Sequence, residues 1–172
     1  MTYLAITYPN IGEADLEWIQ SIRQMNDRQF KLVRPHITLV FGTDKLNANE
    51  LTDHVQNKVR SFKSFQIILD SAKIVEDNSK SYFHAFLIPS VGLDEINELH
   101  DLLYQDELES ELRVDIPFVP HLTIGSGNKD EMTTLVDNIN ESNISIKGTV
   151  DQVSMIGFDG VKVTNINELS LA

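Results

Sequence analysis

Cysteine is absent from the 172 residues, which removes disulfides, thiolate nucleophiles and cysteine-ligated zinc together. Positive charge is scarce too: 14 Lys and Arg stand against 26 Asp and Glu, for a formal charge of −12. A protein that grips long duplex nucleic acid by counterion release needs clustered cations, so the composition argues against that class. No apolar run is long enough to span a membrane. The opening residues MTYLAITYPN lack the basic stretch, long apolar core and cleavage site of a signal peptide. A cytoplasmic location is compatible with these absences. No stretch rich in Pro, Gly or Ser divides the chain, while 41% hydrophobic residues suffice for a buried interior, so one compact unit spanning 1–172 is expected.

The charge that is present is unevenly placed. Residues 1–86 hold ten basic and ten acidic side chains, and residues 87–172 hold four and sixteen. Cationic contacts to a bound anion are therefore expected from the earlier part. The run DELESE at 106–111 reads as a solubilising surface.

Two nonapeptides match: RPHITLVFG at 34–42 and VPHLTIGSG at 119–127, each centred on Pro-His-x-Thr. The match extends outward. Residues 3–24 overlay residues 83–104 without a gap, pairing Ala5 with Ala85, Pro9 with Pro89 and Gly12 with Gly92. In both copies a strand ends in Pro-x-x-Gly and enters an amphipathic helix, where Leu16, Ile19, Ile22 and Arg23 answer Ile96, Leu99, Leu102 and Leu103. Each His strand is followed by a helix, 47–62 and 129–140. A long β-rich segment comes next, 65–76 and 144–158. Turns are expected at 77–80 and at Asp159-Gly160, with 161–171 as the closing strand. The expected fold is α+β: duplicated strand-helix units, about 1–80 and 81–172, form two mostly antiparallel sheets around a central cleft with helices outside. The strand beginning at Phe83 should hairpin with the last strand of the first unit, making a single bilobal, interlocked domain.

In an extended strand, residues i and i+2 share a face. His36 then projects with Thr38, and His121 with Thr123, while Ile37, Leu39, Leu122 and Ile124 face the core. Hydrolysis of a phosphodiester needs one proton removed from water and one supplied to the leaving alkoxide, and His suits both tasks near neutral pH. The two threonines can hydrogen-bond the non-bridging oxygens. No metal site such as HExxH is present, and neither a metal nor another cofactor is expected.

Paired His-x-Thr motifs half a chain apart, inside a wider repeat, resemble the 2H phosphoesterase superfamily, which includes the RNA 2',5'-ligase and cyclic nucleotide phosphodiesterase families. The resemblance covers nearly the whole chain. It implies a metal-independent enzyme hydrolysing, or reversibly forming, a 2',3'-cyclic or 2',5'-linked RNA-type phosphodiester, with His36, His121, Thr38 and Thr123 as its catalytic residues. The expected ligand is a small nucleotide or an RNA end. A nucleotide-binding protein without turnover, and an interaction module docking through its acidic later part, are the competing readings.

Further binding candidates surround the motifs. Arg34 shares the His36 face, though its counterpart is Val119. Tyr3, Phe83, Phe41 and Phe118 are possible platforms for a nucleobase. His84, which alternates with Tyr82 and Phe86, reads as structural, and His54 and His100 read as helix-flank residues.

Overall fold

The structure is a computed structural model that describes residues 1–77 and 82–172. The turn expected at 77–80 lies beyond Asp77, outside the described residues. In chain order the elements are β1 (Thr2–Thr7), β2 (Asn10–Ile11), α1 (Glu13–Asn26), β3 (Ile37–Thr43), α2 (Ala48–Val59), β4 (Phe65–Glu76) and β5 (Phe83–Val91). There follow α3 (Leu93–Leu103), a 3-10 helix (Asp106–Glu111), β6 (Leu122–Gly127), α4 (Lys129–Glu141), β7 (Ile146–Val150), β8 (Gln152–Phe158) and β9 (Val163–Ser170).

Local chemistry sets several of these boundaries. After each His strand an Asn caps the next helix and exchanges hydrogen bonds with a Glu three residues on, Asn47 with Glu50 before α2 and Asn128 with Glu131 before α4. At the head of α3, Gly92 has φ +81°, and a Cβ there would lie 2.6 Å from the Gln66 carbonyl oxygen, so only glycine fits. Its counterpart Gly12 has φ −56° and carries no such demand. The turn at Asp159-Gly160 is held by Asp159 Oδ1, which accepts from the amides of Val161 and Lys162.

Among the described residues, all nine strands join one sheet, in the order β2-β7-β4-β5-β6-β3-β1-β8-β9, and every pairing is antiparallel. The two expected sheets are thus one, and the reason is a single contact. β3 and β6 pair only at Ile37 and Leu122, and the strands part on either side of that point. The pairing order repeats across this junction. β1 lies between β3 and β8, and β5 lies between β6 and β4, so the late strand of each half of the sequence lines the first strand of the other.

The β-rich segment expected over 144–158 is two strands. The chain breaks at Asp151 because β7 belongs beside β4 on one wing, whereas β8 belongs beside β1 on the other. The helices cross over in the same way. α1 packs on β6, and α3 packs mainly on β3, while α4 covers β4 and β5. The core between helices and sheet includes Ile37, Leu39, Leu122 and Ile124, all fully buried, with Ala5, Ala85, Ile19 and Leu99.

Candidate active site

Ile37 and Leu122, the paired residues at the junction, each directly follow a histidine. Their side chains point into the core. By alternation His36, Thr38, His121 and Thr123 stand on the opposite, cleft face, all half-buried. Antiparallel register sets His36 and His121 on the two sides of the crossing, each turned toward the threonine of the other strand. Both histidines stand one residue ahead of the strand proper.

The strands are shaped alike beyond the histidines. Across β1 and β3, Ile6 pairs Thr38 and Ala5 pairs Val40, so Leu39 is an extra residue; across β5 and β6, Phe86 pairs Thr123 and Ala85 pairs Gly125, so Ile124 is extra. Each His-x-Thr therefore runs into a β-bulge, a device that re-aims neighbouring side chains and bends the strand. The carbonyl of Leu39 accepts a hydrogen bond from His100 Nδ1 at 2.7 Å, which gives that helix histidine, only 3% exposed, a structural task in the core rather than on a flank.

Both site imidazoles are oriented by the same local bond. His36 Nδ1 lies 2.8 Å from the Arg34 carbonyl, and His121 Nδ1 lies 2.6 Å from the Val119 carbonyl. A carbonyl only accepts, so Nδ1 carries the hydrogen and, in the neutral ring, Nε2 is the free lone pair. Burial lowers both pKa values from the ordinary 6.5, that of His121 to about 4. The carbonyl bonds oppose this. The Arg23 charge adds to the shift at His36, which Asp27 counters, and His36 and His84 add to it at His121.

The walls differ. His121 lines a cavity of about 450 Å³ with Phe86, Thr123, Ser126, His84 and Phe41. His36 lines a smaller one of about 110 Å³ with Leu4, Leu32, Val33, Ile156 and Phe158. Gln29 borders both, so the loop 27–33 stands between them. That loop is anchored from behind by Arg23, 1% exposed, whose Nε donates to Asp27 Oδ2 at 2.7 Å and whose Nη2 donates to the Val33 carbonyl at 2.9 Å. Arg23 thus sits at an expected apolar helix position as a buried cation with an assigned partner.

The other sequence candidates separate into two groups. Phe41, 41% exposed, stands on the rim of the larger cavity in edge contact with Phe118, their ring centres 6.4 Å apart. The Arg34 guanidinium lies 4.1 Å from the centre of the Tyr8 ring, and Tyr8 in turn meets His36 edge-on, ring centres 6.3 Å apart, so a tyrosine links the two. Tyr3 and Phe83 are turned away. They share the face of Ala5 and Ala85 and pack against the core, so alternation removes both from the cleft as stacking platforms.

Several site residues escaped the sequence reading. The Phe86 ring lies on His121, ring centres 3.6 Å apart and planes 18° from parallel; His84 stacks on Phe86 in turn, at 5.5 Å. His84 is therefore part of the cavity wall. The signal was its alternation with Phe86 on a strand pairing with the second His strand. The run DELESE is largely exposed surface, as expected, with Leu108 buried, and it is tied down as well: Asp106 pairs with Lys58, Glu107 with His54, and Glu111 accepts from Thr43. His54 itself is buried, with its ring nitrogens on Glu107 and the Leu103 carbonyl.

Among the described residues no cluster of three His, Asp or Glu is placed to hold a metal ion, and no helix is long and apolar enough to cross a membrane.

A family model described as the 2'-5' RNA ligase superfamily matches residues 11–162. Curated relatives in Staphylococcus aureus named "Putative phosphoesterase" are 20% identical over 147 residues, 83% of either chain. Among solved structures, Escherichia coli LigT complexed with 3'-AMP is similar with a TM-score of 0.64 and 15% identity, covering 99% of this chain and 98% of that one. Kluyveromyces marxianus Usb1 is similar with a TM-score of 0.57 and 9% identity, covering 96% and 97%. At these identities the two structures establish the shared fold. With most of its length matched by the family model and its curled antiparallel sheet shared with LigT, the chain belongs to the 2'-5' RNA ligase superfamily, among the 2H phosphoesterases.

Proposed function

We propose that this protein is a metal-independent phosphodiesterase that hydrolyses, or in reverse forms, a 2',3'-cyclic or 2',5'-linked RNA-type phosphodiester. The observation that carries the reading is the matched pair of imidazoles at the β3-β6 junction, each with Nδ1 committed to a backbone carbonyl and Nε2 left for the cleft. In hydrolysis one Nε2 takes the proton of the attacking water as its oxygen bonds to phosphorus. The other imidazole, protonated, gives its Nε2 proton to the ester oxygen as that bond breaks. Thr38 and Thr123 donate to the non-bridging oxygens, whose charge grows in the transition state.

The burial that keeps both rings neutral also sets a requirement. An anionic phosphodiester lying between them favours the charged form, so substrate binding raises an imidazole pKa and brings the acid its proton. Phe41 at the cavity rim is the platform we assign to a nucleobase, and Arg34, steadied on Tyr8, is the cation we assign to the phosphate. The neighbours' complexes, LigT with 3'-AMP and Usb1 with uridine monophosphate, support a nucleotide ligand.

The test is a screen of 2',3'-cyclic, 3',5'-cyclic and 2',5'-linked substrates in EDTA. Turnover of 2',3'-cyclic or 2',5'-linked compounds is expected, with none of 3',5'-cyclic nucleotides. Tight nucleotide binding without product at any pH would replace the enzyme by a binding protein.

A further inference from the structure

The larger cavity continues past His121 along β5, and its far arm has a chemistry of its own. Tyr82, His84 and Phe86 succeed one another on the cleft face, about 7 Å per two residues, leading away from the imidazole on which Phe86 lies. His84 Nε2 donates to Asp77 Oδ2 at 3.1 Å, the two side chains being 23% and 21% exposed. Ser126, the cross-strand partner of His84, lines the same arm, and Arg28 reaches over it with its guanidinium 5.2 Å from the Tyr82 ring centre.

Resting on the phosphodiesterase reading, we propose that this arm is a subsite for a hydroxyl-rich group of the substrate, a sugar diol, with Asp77, Ser126 and Arg28 as its hydrogen-bonding groups.

Two alternatives fit the arm less well. A nucleobase needs a ring face to stack on, and these rings already have partners: Tyr82 carries Arg28, His84 lies on Phe86, and Phe86 lies on His121. A second phosphate would face the Asp77 carboxylate, and Glu76 at the same wall, against one guanidinium among the described residues. A vicinal diol, by contrast, donates to the carboxylate and accepts from Arg28 and the Ser126 hydroxyl.

The corresponding position in the first half makes the polarity of this wall more telling. His84 aligns with Leu4, which lines the apolar cavity beside His36. His84 Nδ1, moreover, is buried with no hydrogen-bond partner among the described residues, a cost that packing alone does not require, since Leu4 fills its own site without one. A histidine held there by Asp77 fixes the carboxylate at the cavity wall.

The test compares 2',5'-linked diadenosine monophosphate bearing a free terminal diol, the same compound with a 2',3'-dideoxy terminus, and the compound with a terminal phosphate. Wild type should lose about tenfold in kcat/KM on removal of the diol and at least as much on addition of the phosphate. In Asp77→Asn, and separately in Ser126→Ala, the diol-to-dideoxy ratio should shrink to about threefold or less. Equal rates with diol and dideoxy substrates, or faster cleavage with a terminal phosphate, would overturn the subsite. Equilibrium binding of adenosine against 2',3'-dideoxyadenosine, in wild type and both variants, reads the same preference without turnover. A protein that cleaves nothing yet prefers adenosine tenfold would keep the subsite and lose the phosphodiesterase; an equal affinity for the two nucleosides would overturn the subsite whatever the catalytic result.

Discussion

His36 and His121 make the same backbone hydrogen bond at the same place on their strands, and there the likeness ends. Behind His36 stands a loop tied down by a buried guanidinium, Arg23, holding Asp27 and the Val33 carbonyl. Behind His121 stands a column of rings, Phe86 and His84, laid on one another. The residues opposite the two threonines show the divergence at one position: Ile6 pairs Thr38, and Phe86 pairs Thr123. On the proposed reading, proton transfer asks only that two Nε2 atoms face one phosphorus, and that requirement tolerates different scaffolding on each side. Substrate recognition has no such symmetry to keep. A small apolar cavity adjoins His36, and a larger one whose wall adds charged and hydroxyl side chains to its apolar lining adjoins His121.

The support of His36 should break with the largest effect. Arg23→Met leaves the Asp27 carboxylate buried without its cation, at a cost of about 3–5 kcal/mol in folding stability. Urea unfolding measures it, and a loss below about 1 kcal/mol would show that the ion pair does not hold the loop. On the other side, Phe86→Ala frees the His121 ring and should lower kcat on the order of 100-fold, since small misplacements of a catalytic group are that costly. Ile6→Ala, its counterpart, removes buried apolar volume and should instead appear mainly as about 2–5 kcal/mol of lost stability. Equal kcat losses in the two variants would erase the distinction drawn between the walls.

The smallest effects sharpen the comparison through pH. The folded pKa of His121 is near 4 against an ordinary 6.5, so between those values the unfolded chain binds more protons and stability falls as pH falls. Wild type should lose Tm between pH 6.5 and 4 more steeply than His121→Gln, and parallel curves would contradict the burial account. The same depression places the kcat/KM bell of the free enzyme on the acid side of 6.5. The kcat bell should lie at higher pH, because a bound anion raises the imidazole values.

What the sequence made legible was whatever a local period could carry. The His-x-Thr pairs and the buried Ile37, Leu39, Leu122 and Ile124 all follow from spacing. Alternation, carried one step further, already sets Tyr3 with Ala5 and Phe83 with Ala85, on the core side. Aromatic character drew those two residues into the binding list against that period. The single sheet was not legible, because it hangs on one residue pair between distant strands. Arg23 was hidden for a related reason: a cation in an apolar helix stripe reads as an irregularity until the loop that returns to it is seen. The acidic run is largely exposed, as its composition suggests, but its ties to Lys58, His54 and Thr43 were not legible, because those partners lie about fifty to seventy residues away in the chain.

The most direct test of the paired-imidazole account is kcat on a 2',3'-cyclic nucleotide for His36→Ala, His121→Ala and the double variant, with circular dichroism to verify folding. Groups that act as a unit are non-additive, so each single variant should fall by a factor of about 10³ or more and the double variant by little further. A folded single variant that keeps turnover within about tenfold of wild type would contradict the pairing.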